Sequence, residues 1–327
     1  MSRSLLILPD DSAQPILDAI HAAVKSLHIK MFVFSDPELL KAVVAAQHRG
    51  VKVRVMLNPA RRSGETENEE SRKILSAGNV EVMDSNPEFD LTHEKSMIVD
   101  DKTAFVYSLN WETKNLQESR DYAIVTDHAH EVDEIKACFD ADWNRKHIDL
   151  GDQAHLVWCK GNARNRIAQL IDGAKHTLFV QNERFQDPII IEHLVRAKMR
   201  GVKIHVMAKP PHTLKEEKLV EGVGGLRIMD DVGIKIHRLK HLKLHAKMLL
   251  ADGARAIIGS INLTPGSFDS RRELAIEVSD PHVIERLQKI VHHDWENSCP
   301  LDLSDEGLLK DLKDRRDTEA IGLCDHK

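Results

Sequence analysis

The 327-residue chain is long enough to bury a large core, and its length suggests two domains or one large one. A formal net charge of -6 and a pI near 6.3 argue against a broad basic surface for nucleic acid, although a local basic cleft is compatible with both. The cysteines are widely separated and form no CxxC, so we expect free thiols in a reducing compartment rather than a disulfide framework or a zinc knuckle. They are Cys138, Cys159, Cys299 and Cys324.

The N-terminal segment MSRSLLILPDDSAQ has only a short apolar run, without the charged leader of a signal peptide. No window reaches membrane-spanning length. We therefore expect a cytoplasmic protein that at most touches the inner membrane from its surface.

The predicted elements follow the same order twice along the chain. Each half begins with a helix (about Pro15 to Ser26, and about Asn165 to Ala174), followed by a strand, a second helix that ends at Arg-Gly, and an alternating apolar strand, VKVRVM or VKIHVM. Gly50 and Gly201 follow the second helices, where a left-handed backbone is expected. Next come a polar loop, a short strand (about Val80 to Met83, and about Ile234 to Arg238), three further strands and a closing helix.

The polar loops, NPARRSGETENEESRK and AKPPHTLKEEKLVEGVGG, follow Met56 and Met207. They are interpreted as solvated surface, with a pair of flaps over a cleft as the alternative. A charged tail from Leu301 is predicted to form one amphipathic helix.

The two halves share side chains in one register, which indicates a tandem duplication. Asp36 and Asp187 open matching segments at an offset of 151, and the later positions recur at an offset of 152. The recurring pairs are His93 and His245, Lys95 and Lys247, Asp100 and Asp252, Ser108 and Ser260, Asn110 and Asn262, Asp121 and Glu273, and Asp142-Trp143 and Asp294-Trp295. Helices alternating with apolar strands predict an α/β sandwich with mixed, largely buried sheets.

A duplicated His-x-Lys motif suits attack on a phosphodiester. Residues i and i+2 of a strand point to one face, so each histidine and its lysine would be aimed together. One imidazole could attack the phosphorus while the second protonates the leaving group. The lysines and asparagines would then surround the charge on the phosphate oxygens.

At these residues the sequence resembles the phospholipase D superfamily, whose signature is His-x-Lys, four residues, Asp, then a Gly or Ser region and Asn. HEKSMIVD and HAKMLLAD fit that spacing, with SLN and GSIN as the later element. The resemblance implies two α/β/α halves related by a pseudo-twofold axis, one active site at their interface, and no metal or cofactor. We expect an N-terminal half at 1–150, a C-terminal half at 151–300 and a tail at 301–327.

Carried over to this sequence, the resemblance implies that His93 is the nucleophile that forms a phosphohistidine, and that His245 is the general acid. Lys95, Lys247, Asn110 and Asn262 would hold the phosphate oxygens. Asp121 and Glu273, each 28 residues after the histidine of its own half, match the acidic residue that orients each histidine. Asp100 and Asp252 complete the candidate catalytic set, where we expect them to brace the site more than to touch substrate. The candidate substrate contacts are Ser108, Ser260, Glu183 and Arg184.

The motif residues do not decide between a lipid substrate, a nucleic acid substrate and a protein without catalytic activity. A phospholipase D or phosphatidyl-transfer enzyme of the cardiolipin synthase-like kind is favoured, acting on a phospholipid at a membrane surface. A nuclease is the alternative, because NLTPGSFDSRREL resembles nuclease-like members at least as well. A non-catalytic interaction module is disfavoured by the intact motif residues. A duplicated chain builds its own site, so a monomer would suffice and no protein partner is implied.

Overall fold

The computed structural model describes residues 2–59, 68–210 and 216–308. The helices are α1 Gln14–Ala22, α2 Pro37–His48, α3 Glu69–Ala77, α4 Thr113–Glu118, α5 Ala129–Trp143, α6 Ala163–Gly173, α7 Pro188–Met199, α8 Glu216–Asp231, α9 Pro265–Ser270 and α10 Pro281–Glu296.

The strands of the first half are β1 Arg3–Leu8, β2 Ser26–Met31, β3 Lys52–Leu57, β4 Glu81–Asp84, β5 Leu91–Thr92, β6 Ser96–Val99, β7 Thr103–Tyr107 and β8 Ser119–Thr126. Those of the second half are β9 Val157–Trp158, β10 Thr177–Asn182, β11 Lys203–Ala208, β12 Lys235–Leu239, β13 Lys243–Leu244, β14 Met248–Ala251, β15 Arg255–Gly259, β16 Arg271–Arg272, β17 Leu274–Val278 and β18 Ser298–Pro300.

Two mixed sheets repeat one topology. The first has the order β1-β8-β7-β6-β2-β3-β4, and the second has the order β18-β12-β11-β10-β14-β15-β17-β9. In both, the strand before the second helix pairs in parallel with the strand after it and antiparallel with the strand that follows His-x-Lys. The predicted duplicated α/β fold is confirmed, while the domain boundaries at 150 and 300 stay a prediction.

The core is layered. Each sheet packs its outer face on the helices of its own half, and the inner faces of both sheets contribute to a shared cluster that also contains α5 and α10. Val106 of the first sheet and Ile258 of the second belong to this cluster. The two halves are thus joined face to face through a continuous apolar layer.

Local sequence signals explain where the second helices begin and end. The Asp36 and Asp187 side chains accept backbone N–H groups of the first turns of α2 and α7, and a proline starts each helix. Gly50 and Gly201 both have φ of 91°, as predicted for the left-handed residue after a helix.

Two sequence predictions are corrected by the structure. α1 ends at Ala22 rather than near Ser26, because the turn that follows it is held by side-chain contacts described below. The polar segments after Met56 and Met207 are not loops throughout, since α3 begins within the first and α8 within the second. Val223, Leu226 and Met229 recur on one face of α8 and are buried, which accounts for the second helix.

The remaining parts of those segments, 60–67 and 211–215, and the tail from 309 with Cys324, lie outside the described residues. Cys138, Cys159 and Cys299 are free thiols, as predicted. Within the described ranges, no helix combines the length and apolar character needed to cross a membrane.

Candidate active site

Short strands carry each His-x-Lys motif to the other half of the molecule. β5 pairs in parallel with β16, and β13 pairs in parallel with the start of β8. The backbone N–H of His93 donates to the carbonyl oxygen of Arg272 at 2.9 Å, and that of His245 donates to the carbonyl oxygen of Arg120 at 3.3 Å. Each histidine therefore lies beside the residue that immediately precedes the acidic position of the opposite half.

This backbone pairing produces a reciprocal exchange of carboxylates. His93 Nδ1 lies 2.9 Å from Glu273 Oε2 and 3.0 Å from the carbonyl oxygen of Ser260. His245 Nδ1 lies 2.9 and 3.1 Å from the two carboxylate oxygens of Asp121. Both carboxylates are fully buried. In each pair the contact at Nδ1 leaves Nε2 as the nitrogen that can react.

Each acid therefore meets the histidine of the opposite half and not that of its own half. The spacing of 28 residues is the same in both halves, so it cannot distinguish a contact within a half from a contact between halves. The decisive information is the pairing of β5 with β16 and of β13 with β8. β5, β13 and β16 are two residues long, and β13 pairs with only two residues of β8, so these pairings have no sequence pattern of their own.

Burial sets the electrostatics around His93. The residue is 8% exposed, and burial, reinforced by the ammonium groups of Lys95 and Lys247, lowers the pKa of His93 well below its ordinary value. Burial raises the pKa of Glu273 above its ordinary value. His93 is consequently neutral near pH 7, the form that can attack an electrophile.

The two lysines stand beside their histidines. Lys95 Nζ donates to the carbonyl oxygen of His93 at 2.6 Å, and Lys247 Nζ donates to the carbonyl oxygen of His245. Burial, followed by the charge of Lys247, lowers the pKa of Lys95 well below its ordinary value. The charge of Lys247 disfavours the ammonium form of Lys95, so an anion bound between the two side chains would favour that form.

The two asparagines of the motif are also buried near the interface. Asn110 donates from Nδ2 to Glu112 Oε2 at 3.1 Å. Within the described part of the chain, Oδ1 of Asn110 and Oδ1 of Asn262 are buried without a hydrogen-bond partner. Buried amide groups normally have partners, so these side chains are suited to meet a ligand.

Ser108 and Ser260 support the histidine–carboxylate pairs from behind. The Ser108 hydroxyl donates to Asp121 Oδ1 at 2.6 Å and accepts the backbone N–H of Tyr122 at 2.8 Å. The Ser260 hydroxyl accepts the backbone N–H of Leu274 at 3.1 Å. Both serines are fully buried and help to position the carboxylate strands, while their expected contact with substrate stays a prediction.

Asp100 and Asp252 lie at the far ends of β6 and β14 from the histidines. The Asp100 carboxylate accepts the backbone N–H groups of residues 24 to 26, and the Asp252 carboxylate accepts those of residues 175 to 177. Their inclusion among the candidate catalytic residues is corrected: they fix the turns between α1 and β2 and between α6 and β10. These contacts are also what ends α1 early.

Glu183 reaches the site and Arg184 adjoins it. Glu183 Oε2 lies 2.7 Å from Lys247 Nζ and 3.8 Å from His245 Nε2, while Oε1 lies 3.5 Å from Lys209 Nζ. Arg184 is half-buried, and its backbone N–H donates to Asn182 Oδ1. A substrate contact therefore stays a prediction for both residues, with Glu183 at the reactive nitrogen of His245.

Sequence reasoning missed two reciprocal ion pairs behind the site. Arg272 forms two hydrogen bonds with Asp142, at 3.0 and 2.9 Å, and Arg120 forms two with Asp294, at 2.8 and 2.9 Å. Each pair joins the two halves. The arginines recur at the offset of 152, and this recurrence was the signal available in the sequence.

Within the described ranges, one set of potential metal ligands comes together, Glu94, Cys138 and Asp142. Lys30 Nζ lies against all three, at 2.8 Å from each carboxylate and 3.6 Å from the thiol. A buried cation therefore already balances this cluster, which is a structural ion-pair network.

The fold and the crosswise histidine pairs define a duplicated protein of the phospholipase D type, and comparison with known proteins supports this. A family model described as "Cardiolipin synthase, PLD-like domain" matches residues 16–143 and 167–295. The chain belongs to this family, within the phospholipase D superfamily, and the predicted enzyme class is confirmed at that level.

Individual relatives are distant. The chain is similar to cardiolipin synthase B of Salmonella typhi, with 24% identity over an alignment of 328 positions that covers 87% of this chain and 78% of the relative. Its fold is similar to phosphatidylserine synthase of Haemophilus influenzae Rd KW20, with a TM-score of 0.73 and 13% identity over 98% of this chain and 94% of the other. It is also similar to polyphosphate kinase of Porphyromonas gingivalis, with a TM-score of 0.71 and 16% identity over 92% of this chain and 48% of the other.

Proposed function

We propose that the protein transfers the phosphatidyl group of a phospholipid to water or to an alcohol through a phosphohistidine at His93, without a metal ion. The observation that carries this proposal is the pair of imidazoles, each held at Nδ1 by a buried carboxylate of the opposite half, with two lysines beside them. The choice of lipid is supported by the family description and by the cardiolipin synthase relative.

In the first step, Nε2 of neutral His93 attacks the phosphorus atom. The bond between phosphorus and the head-group oxygen breaks, and His245 Nε2 gives its proton to that oxygen as the alcohol leaves. Glu273 at Nδ1 of His93 stabilises the positive charge that develops on the ring. Lys95 and Lys247 balance the charge on the phosphate oxygens.

In the second step, His245 Nε2 takes a proton from water or an acceptor alcohol, whose oxygen attacks the phosphorus. The bond between phosphorus and His93 then breaks, and both histidines return to their starting protonation states. Two histidines in complementary protonation states suffice for the whole cycle, and positive charge comes from lysine side chains.

The experiment offers the purified protein mixed phospholipid vesicles with glycerol, and in parallel single- and double-stranded DNA and RNA, all with EDTA present. We expect phosphatidic acid and phosphatidylglycerol, detected by mass spectrometry, and none from His93→Ala or His245→Ala. Cleaved nucleic acid with intact lipid would replace this proposal with the nuclease alternative. Activity that EDTA abolishes, or that both alanine variants keep, would contradict the metal-free phosphohistidine mechanism.

A further inference from the structure

One position breaks the symmetry of the two halves inside the site. At the offset of 151 that relates the second helices, Glu183 corresponds to Phe32. Both residues directly follow the strand that precedes α7 or α2, so the backbone delivers them to equivalent places. The histidine, lysine and asparagine of the motif are identical in the two halves, whereas this position is acidic in one and aromatic in the other.

The two side chains surround the two histidines differently. The Phe32 ring lies edge-on to the His93 ring, with centroids 4.9 Å apart, and Lys95 Nζ lies 5.1 Å from its centroid. The Glu183 carboxylate instead lies 2.7 Å from Lys247 Nζ and 3.8 Å from His245 Nε2. An apolar surface therefore flanks the nucleophile, and an anion flanks the general acid.

Glu183 is ionised at neutral pH. Burial alone would raise the pKa of its carboxyl group, but Lys247, His245 and Lys209 together hold that pKa well below its ordinary value. Its side chain is 12% exposed, so the carboxylate is shielded but still reachable from the site. An ionised carboxylate only accepts hydrogen bonds, and its partner in a bound substrate must be a donor.

The position of Glu183 also identifies which part of the substrate it would meet. In the proposed mechanism His245 Nε2 exchanges a proton with the leaving alcohol and later with the acceptor alcohol. A carboxylate at that nitrogen lies on the alcohol side of the phosphorus, away from the side attacked by His93. The phosphate oxygens bear negative charge, so they are not partners for it.

We propose that Glu183 is a specificity-determining residue that accepts a hydrogen bond from a second donor, a hydroxyl or an ammonium group, on the head-group or acceptor alcohol. The alcohols selected in this way are polyols such as glycerol and amino alcohols such as ethanolamine. Simple alcohols lack the second donor. This inference rests on the proposed phosphatidyl transfer and specifies its alcohol substrates.

The test is a competition for the phosphatidyl group in a single mixture. Phosphatidylcholine vesicles are incubated with glycerol, ethanolamine and 1-propanol at equal concentrations, and the three phosphatidyl products are quantified by mass spectrometry. The product ratio does not depend on how much of the enzyme is folded. The wild type is expected to favour glycerol and ethanolamine over 1-propanol by at least tenfold.

Two variants of Glu183 distinguish the contribution of the ammonium group of ethanolamine from that of the second hydroxyl group of glycerol. Glu183→Gln keeps an acceptor oxygen but loses the charge, so ethanolamine should lose more of its advantage than glycerol. Glu183→Leu removes the acceptor, and both advantages should fall at least fivefold. Glu192→Gln, at an exposed ion pair with Arg196 on α7, is the matched control and should keep the wild-type ratios.

Ratios that stay within twofold of wild type in both Glu183 variants would overturn the inference while leaving phosphatidyl transfer intact. Loss of all products in both variants, with the control active, would also overturn it, because Glu183 would then be needed for the chemistry itself. Absence of every phosphatidyl product from the wild type would instead refute the proposed function, and this inference with it.

Discussion

Exchange of the Glu273 carboxylate for an amide should impair His93, which belongs to the other half of the chain. In Glu273→Gln the side chain keeps its shape but loses the charge that faces His93 Nδ1 at 2.9 Å. The amide can also present its NH₂ group to that nitrogen and stabilise the wrong tautomer. Asp121→Asn should have the corresponding effect on His245.

The size of the effect follows from the charge and the burial. Unit charges about 3 Å apart interact by roughly 6 kcal/mol at an effective dielectric constant of about 20, and Glu273 is fully buried. An amide dipole retains part of that interaction, so we expect a loss of about 3–5 kcal/mol of transition-state stabilisation. This corresponds to a decrease of roughly 10² to 10⁴ in the rate of phosphohistidine formation.

The assay for the pairing itself is NMR of the histidine ring nitrogens, which needs no substrate. Glu273→Gln should shift the Nδ1 resonance of His93 and leave that of His245 in place, whereas Asp121→Asn should do the opposite. Rapid-quench kinetics should show slower release of the head group in Glu273→Gln. Glu277→Gln, four residues further along the chain and paired with Arg166 and Arg255, is the control. Perturbation of His245 by Glu273→Gln, with His93 unchanged, would refute the crosswise arrangement.

The remaining predictions concern stability and pH. Asp100→Ala or Asp252→Ala should lower the free energy of unfolding by about 1–3 kcal/mol, because hydrogen bonds to the backbone are lost. The catalytic rate per folded molecule should stay unchanged. A large decrease in that rate would show that these residues take part in catalysis. Because the pKa of His93 is lowered, the imidazole stays neutral as the pH falls. The decrease of kcat/KM on the acid side that is due to His93 should therefore lie well below pH 6.5. A decrease centred at or above pH 6.5 would contradict the assignment of His93 as the nucleophile. Arg120→Met should lower the free energy of unfolding in urea by about 3–5 kcal/mol, because Asp294 is left buried without its cation. The double variant with Asp294→Leu should recover most of this stability. If it recovers none, the loss is not due to the unpaired charge of Asp294.

The sequence predicts the fold well because each half repeats the same periodic signals. The capping aspartates, the glycines after the second helices and the alternating strands all encode local structure, and the duplication provides each signal twice. The prediction is less successful in the segments after Met56 and Met207. Polar residues dominate there, and the buried face of α8 depends on packing against the rest of the second half.

The sequence identifies the two histidines and the two carboxylates that contact them, but not which carboxylate contacts which histidine. Equal spacing in both halves identifies His93, His245 and the two carboxylates, yet it is silent on which acid meets which histidine. That choice is made by backbone contacts between the halves, as in the hydrogen bond from His93 to the carbonyl oxygen of Arg272. Likewise, Asp100 belongs to the motif by spacing although its carboxylate holds a turn at the far end of β6.

The central claim is a covalent intermediate on His93, formed at a site to which both halves contribute. His245→Ala should slow the second step because the acceptor loses its base, so the intermediate should accumulate if the first step still occurs with an activated leaving group. We would incubate this variant with a phospholipid analogue bearing a p-nitrophenyl head group, quench in guanidinium chloride at neutral pH and locate the adduct by peptide mass spectrometry. A phosphatidyl group on His93, absent from His93→Ala, is the predicted result. An adduct on another residue, or release of p-nitrophenol by His93→Ala at the rate of the wild type, would contradict the account.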